Sequence, residues 1–272
     1  MYLQYYRGEP NFGDELSPVI VNWMLEQNES SEVLEEELSP EGTNLSAVGS
    51  VMHHLSSGFE VWGSGVMQES QTPVSGLKFH AVRGPRTRRY LLDNGYTEAE
   101  VPEVYGDPAL LLPEFYTPKV LPWMSDMWVV IPHHKSVREM RLNMNQEDLD
   151  DLAMFGFHVV YPDEGWETVV DAIANARGVI SQSLHGLIVA DAYGVPNVWW
   201  NTGVLSHHDS HFKFLDYFES QGEAMRTSVR QIGEINEENW RYLMRANQDP
   251  RTRNQVDLEA LKAAFPTESL SR

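Results

Sequence analysis

The chain has 272 residues, 42% apolar and 22% charged, with a formal net charge of −20 and no cysteine. This is the composition of a soluble globular protein with one large domain or two smaller ones. It excludes disulfides, thiolate metal sites and a cysteine nucleophile, and so acidic a surface repels nucleic acid and anionic lipid at long range. No apolar run approaches the ~20 residues needed to cross a bilayer, and no signal-peptide pattern opens the chain, so a cytoplasmic location is expected.

In chain order, residues 3–6 read as a strand. Residues 15–27 read as a helix, with Leu16, Val19, Ile20, Trp23 and Met24 near helical spacing. Residues 45–48, 60–62 and 79–82 are further strands. Residues 85–94 form a helix closed by Gly95, and 107–112 a short helix or turn. Pro113, Pro118 and Pro122 then suit a linker, which places a boundary near residue 120. A second series follows, with strands at 128–131, 157–161, 179–181 and 197–200 and helices at 146–155, 166–176 and 186–193. The tail is helical over 236–247 and 256–265. Such alternation implies parallel sheets with crossover helices. The expectation is an α/β protein of two Rossmann-like, doubly wound domains, residues 1–120 and 121–272, facing across a cleft. Ligands in such folds bind where strands turn into helices.

Six such junctions carry chemistry. In RGEPNFGDELSP, Asp14 is either a helix N-cap or a cleft carboxylate, with capping favoured on local grounds. Gly63, Ser64 and Gly65 make a tight turn that is as readily a plain turn as a cradle for an anion. Arg83 and Arg86 open the densest basic cluster, and arginine's fork suits carboxylate or phosphate. Arg88 and Arg89 lie further along and read as surface residues. Asp107 before Pro108 reads as an N-cap. His133, His134 and Lys135 follow the first strand of the second series, where at most one of the two adjacent histidines should face a pocket. The sixth is ISQSLHGLIVADAYGVP. There His185 is either a packed core histidine or a proton donor, Ser181 and Ser183 flank it, and Gly186 permits close approach. A run with His207, His208, Asp209 and His211 reads as a polar loop rather than a metal site, because contiguous ligands converge poorly. No metal site and no cofactor are expected.

Taken together, GDELSP, VWGSGVM, VRGPRT, YGDPALLLP, SQSLHGLIVADAYGVP and KFLDY resemble the polysaccharide pyruvyl transferase family, in the family's order from about residue 7 to about residue 218. The resemblance implies a fold like that of the GT-B glycosyltransferases. It implies phosphoenolpyruvate as donor, a saccharide or lipid-linked oligosaccharide as acceptor, and a cyclic pyruvate ketal with phosphate as products. An acceptor of that second kind would bring a cytoplasmic protein to the membrane surface peripherally. The family roles fall on Arg83 in donor binding and His185 in catalysis. Arg86, Ser181, Ser183, His134, Lys135 and the Gly63-Ser64-Gly65 turn are expected around the donor. Asp14 is the candidate base toward an acceptor hydroxyl, and Trp62 and Trp199 are candidates for stacking on sugar. Some relatives carry an arginine where this chain has Ser183. The alternatives are a GT-B-like glycosyltransferase using a nucleotide sugar and a non-catalytic carbohydrate-binding relative.

Overall fold

A computed structural model describes residues 1–30, 33–35, 37–38, 43–69, 73–201, 211–222, 228–229 and 255–267. The helix expected over residues 236–247 lies outside them, as do His207, His208 and Asp209. The chain is mixed α/β with two parallel sheets. The first holds β1 (Tyr2–Leu3), β2 (Asn44–Ser46), β3 (Glu60–Trp62) and β4 (Lys78–Ala81), side by side in chain order. The second holds β5 (Trp128–Ile131), β6 (Phe157–Val159), β7 (Gly178–Ser181), β8 (Asn197–Trp200) and β9 (Ser228–Val229), in the order β6-β5-β7-β8-β9.

The two orders differ in a way that matters. The second sheet grows from β5 in one direction to β6 and then in the other to β7. The strand order therefore reverses between β5 and β7, and a crevice opens at their carboxyl ends. The first sheet advances one way only and has no such reversal, so doubly wound describes the second sheet and not the first.

Among the described residues, the helices are α1 (Phe12–Gln27), α2 (Pro85–Asp93), α3 (Val137–Asn143), α4 (Gln146–Met154), α5 (Trp166–Asn175), α6 (Leu184–Ala192), α7 (Phe212–Ser220) and α8 (Leu258–Ala263). Helix α3 escapes periodicity because it is short, charged and mostly exposed, burying only Val137. Helix α6 is apolar all round and buried from Leu184 to Asp191, as expected of a helix packed on every side.

One hydrophobic core runs through both halves. It joins Leu16, Ile20 and Leu45 to Val129, Ile131, Val170 and Leu187. Residues alternate faces along each strand of the second sheet. Val129, Val179 and Trp199 enter this shared core, whereas Trp128, Ile180 and Val198 pack outward under α4 with Leu152. A 3-10 segment, Pro108–Glu114, seals the junction with Ala109 to Leu112 all buried. The proline-rich stretch after it is pinned to α5. Asp171 accepts from the Tyr116 hydroxyl at 2.7 Å and from Lys119 N at 3.0 Å, and Asn175 accepts from Leu121 N at 3.0 Å. Helix α8 returns to the first half, where its Leu261 carbonyl accepts from Trp62 Nε1 at 2.8 Å.

Candidate active site

A cavity of about 360 Å³ lies at the carboxyl ends of the strands. Helix α1 brings Asn11 and Asp14 to it, and the segment after β2 brings Ser50, His53 and His54. The segment after β5 brings His133, His134 and Lys135, and the β7–α6 turn brings Ser183 and His185. Helix α7 adds Lys213. Five of the chain's ten histidines and two lysines thus surround one carboxylate, in a protein with twice as many acidic as basic side chains.

The turn that places His185 is built by serine. Ser181 Oγ accepts from Ser183 N at 3.0 Å and donates to Ser183 O at 2.8 Å, which starts α6 at Leu184 and sets His185 in its first turn. Gly186 has no side chain because a Cβ there would lie 2.3 Å from Ser181 Oγ, so the helix packs directly on the strand end. His185 lies against the start of α1, where a Cβ on Gly13 would come within 2.1 Å of its Nδ1. Its Nε2 lies 3.7 Å from Asp107 Oδ2. Neither atom has a hydrogen-bond partner among the described residues, so the two face each other as a loose pair. Such contacts commonly tighten when substrate arrives.

Asp107 does cap its segment, accepting from Ala109 N at 3.0 Å through Oδ1, and its second oxygen is left for His185. The sequence signalled only the cap. Gly106 places it by taking φ of +137° beside β4, where Gly106 N donates to Val82 O at 3.1 Å.

Asp14 is not the N-cap of α1. Asn11 holds that position, Asp14 lies in the first turn, and Asn11 Nδ2 donates to Asp14 Oδ2 at 2.6 Å. Burial pushes the Asp14 carboxyl above its ordinary value of 3.8, and Asp107 adds to the rise, while His185, Asn11 and Lys213 pull it back. Burial lowers the pKa of His53, opposed by a hydrogen bond with the Gln68 backbone, with His54 lowering it further. Both histidines after β5 line the cavity, their rings 4.2 Å apart and tilted, where alternation predicted one. The chain leaves extended geometry there and enters a 3-10 turn at His134–Ser136.

Several expected site residues lie elsewhere. Arg83 is wholly buried. Its Nε donates to Asp216 at 2.9 Å, one terminal nitrogen to Ser50 Oγ at 2.5 Å and the other to Val66 O at 2.8 Å. Its fork binds protein rather than opening on the cavity, and one of its partners, Ser50, lines that cavity. Gly65 serves that arginine, since a Cβ would lie 2.4 Å from the guanidinium carbon. Gly63 takes φ of +86° against Pro108, and Ser64 Oγ donates to Gly49 O at 3.1 Å, so the turn is a packing device. Arg86 is ion-paired with Glu219 at 2.8 Å and does not line the cavity. Trp62 and Trp199 are core residues: Trp62 packs edge-on to Phe265 and Trp199 stacks on Phe214 at 4.6 Å. Neither offers a ring face to sugar. Ser181 is buried in its turn, while Ser183, His134, Lys135, Asp14 and His185 reach the cavity.

Sequence reasoning missed Lys213, His53 and His54. Lys213 had a signal, an apolar helix face at Phe212, Leu215 and Phe218 that carries a lysine on its buried side. Of the run around residue 208, His211 is described and sets its ring edge on Trp199. Among the described residues, no cluster of three or more metal-ligating side chains forms, and no helix is long and apolar enough to cross a membrane.

A parallel-sheet crevice lined by histidine, lysine and a carboxylate whose pKa is raised by burial is a candidate active site. Residues 74–202 match the model of the polysaccharide pyruvyl transferase family. The matched stretch holds Arg83, Asp107, His133 to Lys135 and His185, while Asp14 and Lys213 lie outside it. An uncharacterised protein of Acanthamoeba polyphaga mimivirus is 24% identical over 226 residues, 82% of this chain and 75% of its own length. The crystal structure of the glycotransferase of kitacinnamycin overlaps with a TM-score of 0.40 at 14% identity, covering 69% of this chain and 51% of its own. The chain therefore spans about half the length of that structure.

Proposed function

We propose that the protein transfers the pyruvyl group of phosphoenolpyruvate to two hydroxyls of one sugar residue, forming a cyclic ketal and releasing phosphate. The observation that carries this reading is the basic pocket of an acidic protein: Lys135, Lys213 and five histidines enclose Asp14. A donor with both a carboxylate and a phosphate suits such a lining. Lys213 and Lys135 hold the two anionic groups, with His134 and Ser183 beside them. Ser183, where some relatives have arginine, contributes a hydroxyl, and Lys213 supplies charge from α7.

The reaction needs one proton delivered to carbon and protons removed from two hydroxyls. His185 gives its proton to the methylene carbon, a C–H bond forms, and C2 becomes electrophilic. Asp14 accepts the proton of the first sugar hydroxyl as its oxygen bonds to C2. The C2–O bond to phosphate then breaks, its electron pair leaving with phosphate. The second hydroxyl closes the ring, and its proton leaves with phosphate or returns to His185. Asp107 opposite Nε2 stabilises the protonated ring during this cycle, an orienting role common for a carboxylate beside a catalytic histidine. The raised pKa of Asp14 suits a base.

A nucleotide-sugar transferase would use the Gly63–Gly65 turn as a diphosphate cradle, but the turn encloses Arg83 instead. Incubation with phosphoenolpyruvate and a glycoside panel tests the proposal by phosphate release and acceptor mass. Mass gain only with nucleotide sugars contradicts it.

A further inference from the structure

A second cavity, about 450 Å³, adjoins the first and shares His134 and Lys135 with it. It runs from those two residues along α3, between Arg138 and Arg141 on one side and the Glu9-Pro10 loop on the other. We infer that this groove is the acceptor subsite and that it recognises an anionic group, phosphate or carboxylate, carried by the acceptor saccharide. The inference rests on the proposed reaction, because it assigns the neighbouring pocket to the donor.

Three observations carry it. The tryptophans expected to stack on sugar are buried in the core, so the acceptor needs another surface beside the donor. The groove leaves the donor pocket across a shared wall, so a saccharide whose hydroxyls reach the donor extends into it. Its charge also runs against that of the chain. Lys135, Arg138 and Arg141 face Glu9 and Asp163, and Asp163 is spent on Arg141 through two contacts of 2.6 and 2.8 Å. Arg141 is further fixed over the Tyr161 ring at 4.4 Å. Arg138, one helical turn before Arg141, is exposed and has no hydrogen bond or ion pair among the described residues. A held arginine beside an unengaged one is a fork available for an oxyanion. Exposed Pro10 and Leu142 flank it and suit the C–H face of a sugar ring.

Matched sets of hexosides provide the test: a neutral methyl glycoside, the sugar 1-phosphate and the uronate of each, titrated by calorimetry into the intact protein. At least one charged member is expected to bind about tenfold more tightly than its neutral counterpart, the scale of one charge-assisted contact. Arg138→Ala is expected to erase that advantage while leaving neutral-glycoside and phosphoenolpyruvate affinity unchanged. The phosphate and uronate arms identify which anion is read. Equal affinity within every set, no binding of any set, or an Arg138→Ala loss that is uniform across each set overturns the inference. Because binding needs no turnover, absence of phosphate release would count against pyruvyl transfer without deciding the groove.

Discussion

Arg83 and Asp216 form an ion pair at 2.9 Å with both side chains fully enclosed. The same carboxylate accepts from Thr87 N at 2.8 Å and Thr87 Oγ1 at 2.7 Å. The next residue, Tyr217, donates to Asp191 at 2.7 Å in the other half. Helix α7 is thus tied to both halves by adjacent residues, and it carries Lys213 into the cavity. Removing one partner of a buried pair leaves an uncompensated charge, which costs about 3–5 kcal/mol. Asp216→Ala and Arg83→Ala are each expected to lower the unfolding free energy, read from denaturant melts, by that order. A change in donor affinity with no change in stability would return Arg83 to the role of a ligand.

Lys213→Met removes a cation that lowers the Asp14 pKa. The Asp14 pKa therefore rises, and the acid limb of the kcat/KM profile is expected to move to higher pH. The phosphoenolpyruvate KM is expected to rise about tenfold or more, as for loss of a charge-assisted contact. Both are read from initial rates across pH.

Asp14→Asn separates stability from activity. A carboxyl whose folded pKa is raised favours folding below its unfolded value near 3.8 and opposes it as pH climbs through the folded value. The asparagine variant is expected to melt higher than the parent at neutral pH, with the gap closing toward pH 4, while turnover is lost. Melting curves at several pH values check the sign.

Gly13→Ala and Asp107→Asn probe the seat of His185. An alanine Cβ would lie 2.1 Å from Nδ1, so the ring or the helix start must shift. A misplaced catalytic group costs about 100-fold, and kcat is expected to fall by that order in both variants. Circular dichroism checks that the fold persists.

Trp62→Phe is expected to cost about 1 kcal/mol through loss of the bond to the Leu261 carbonyl, with no change in acceptor KM. A raised acceptor KM at unchanged stability would place the indole at the sugar.

Strand and helix positions were legible because the alternation of apolar runs is local. β3, β5 and β8 occur at the expected residues, and α6 begins only two residues early. The lack of reversal in the first sheet was not legible, since strand order is set by long-range pairing. The residues that line the cavity divide along the same line. His185, Asp14, His134, Lys135 and Ser183 were reachable from their junctions. Arg83 misled because its anion, Asp216, lies 133 positions along the chain. Asp107 was read as a cap because one carboxylate oxygen does cap, and nothing local reveals where the other points.

In the proposed reaction His185 delivers the proton that starts pyruvyl transfer. The most direct measurement runs His185→Gln beside the parent with phosphoenolpyruvate and an accepted glycoside in deuterium oxide. Donor binding is followed by calorimetry and product by NMR. The parent is expected to release phosphate and form a ketal with one deuterium in its methyl group, while the folded variant binds donor and forms no ketal. Ketal formation by the variant at near-parental rate would remove His185 from proton delivery.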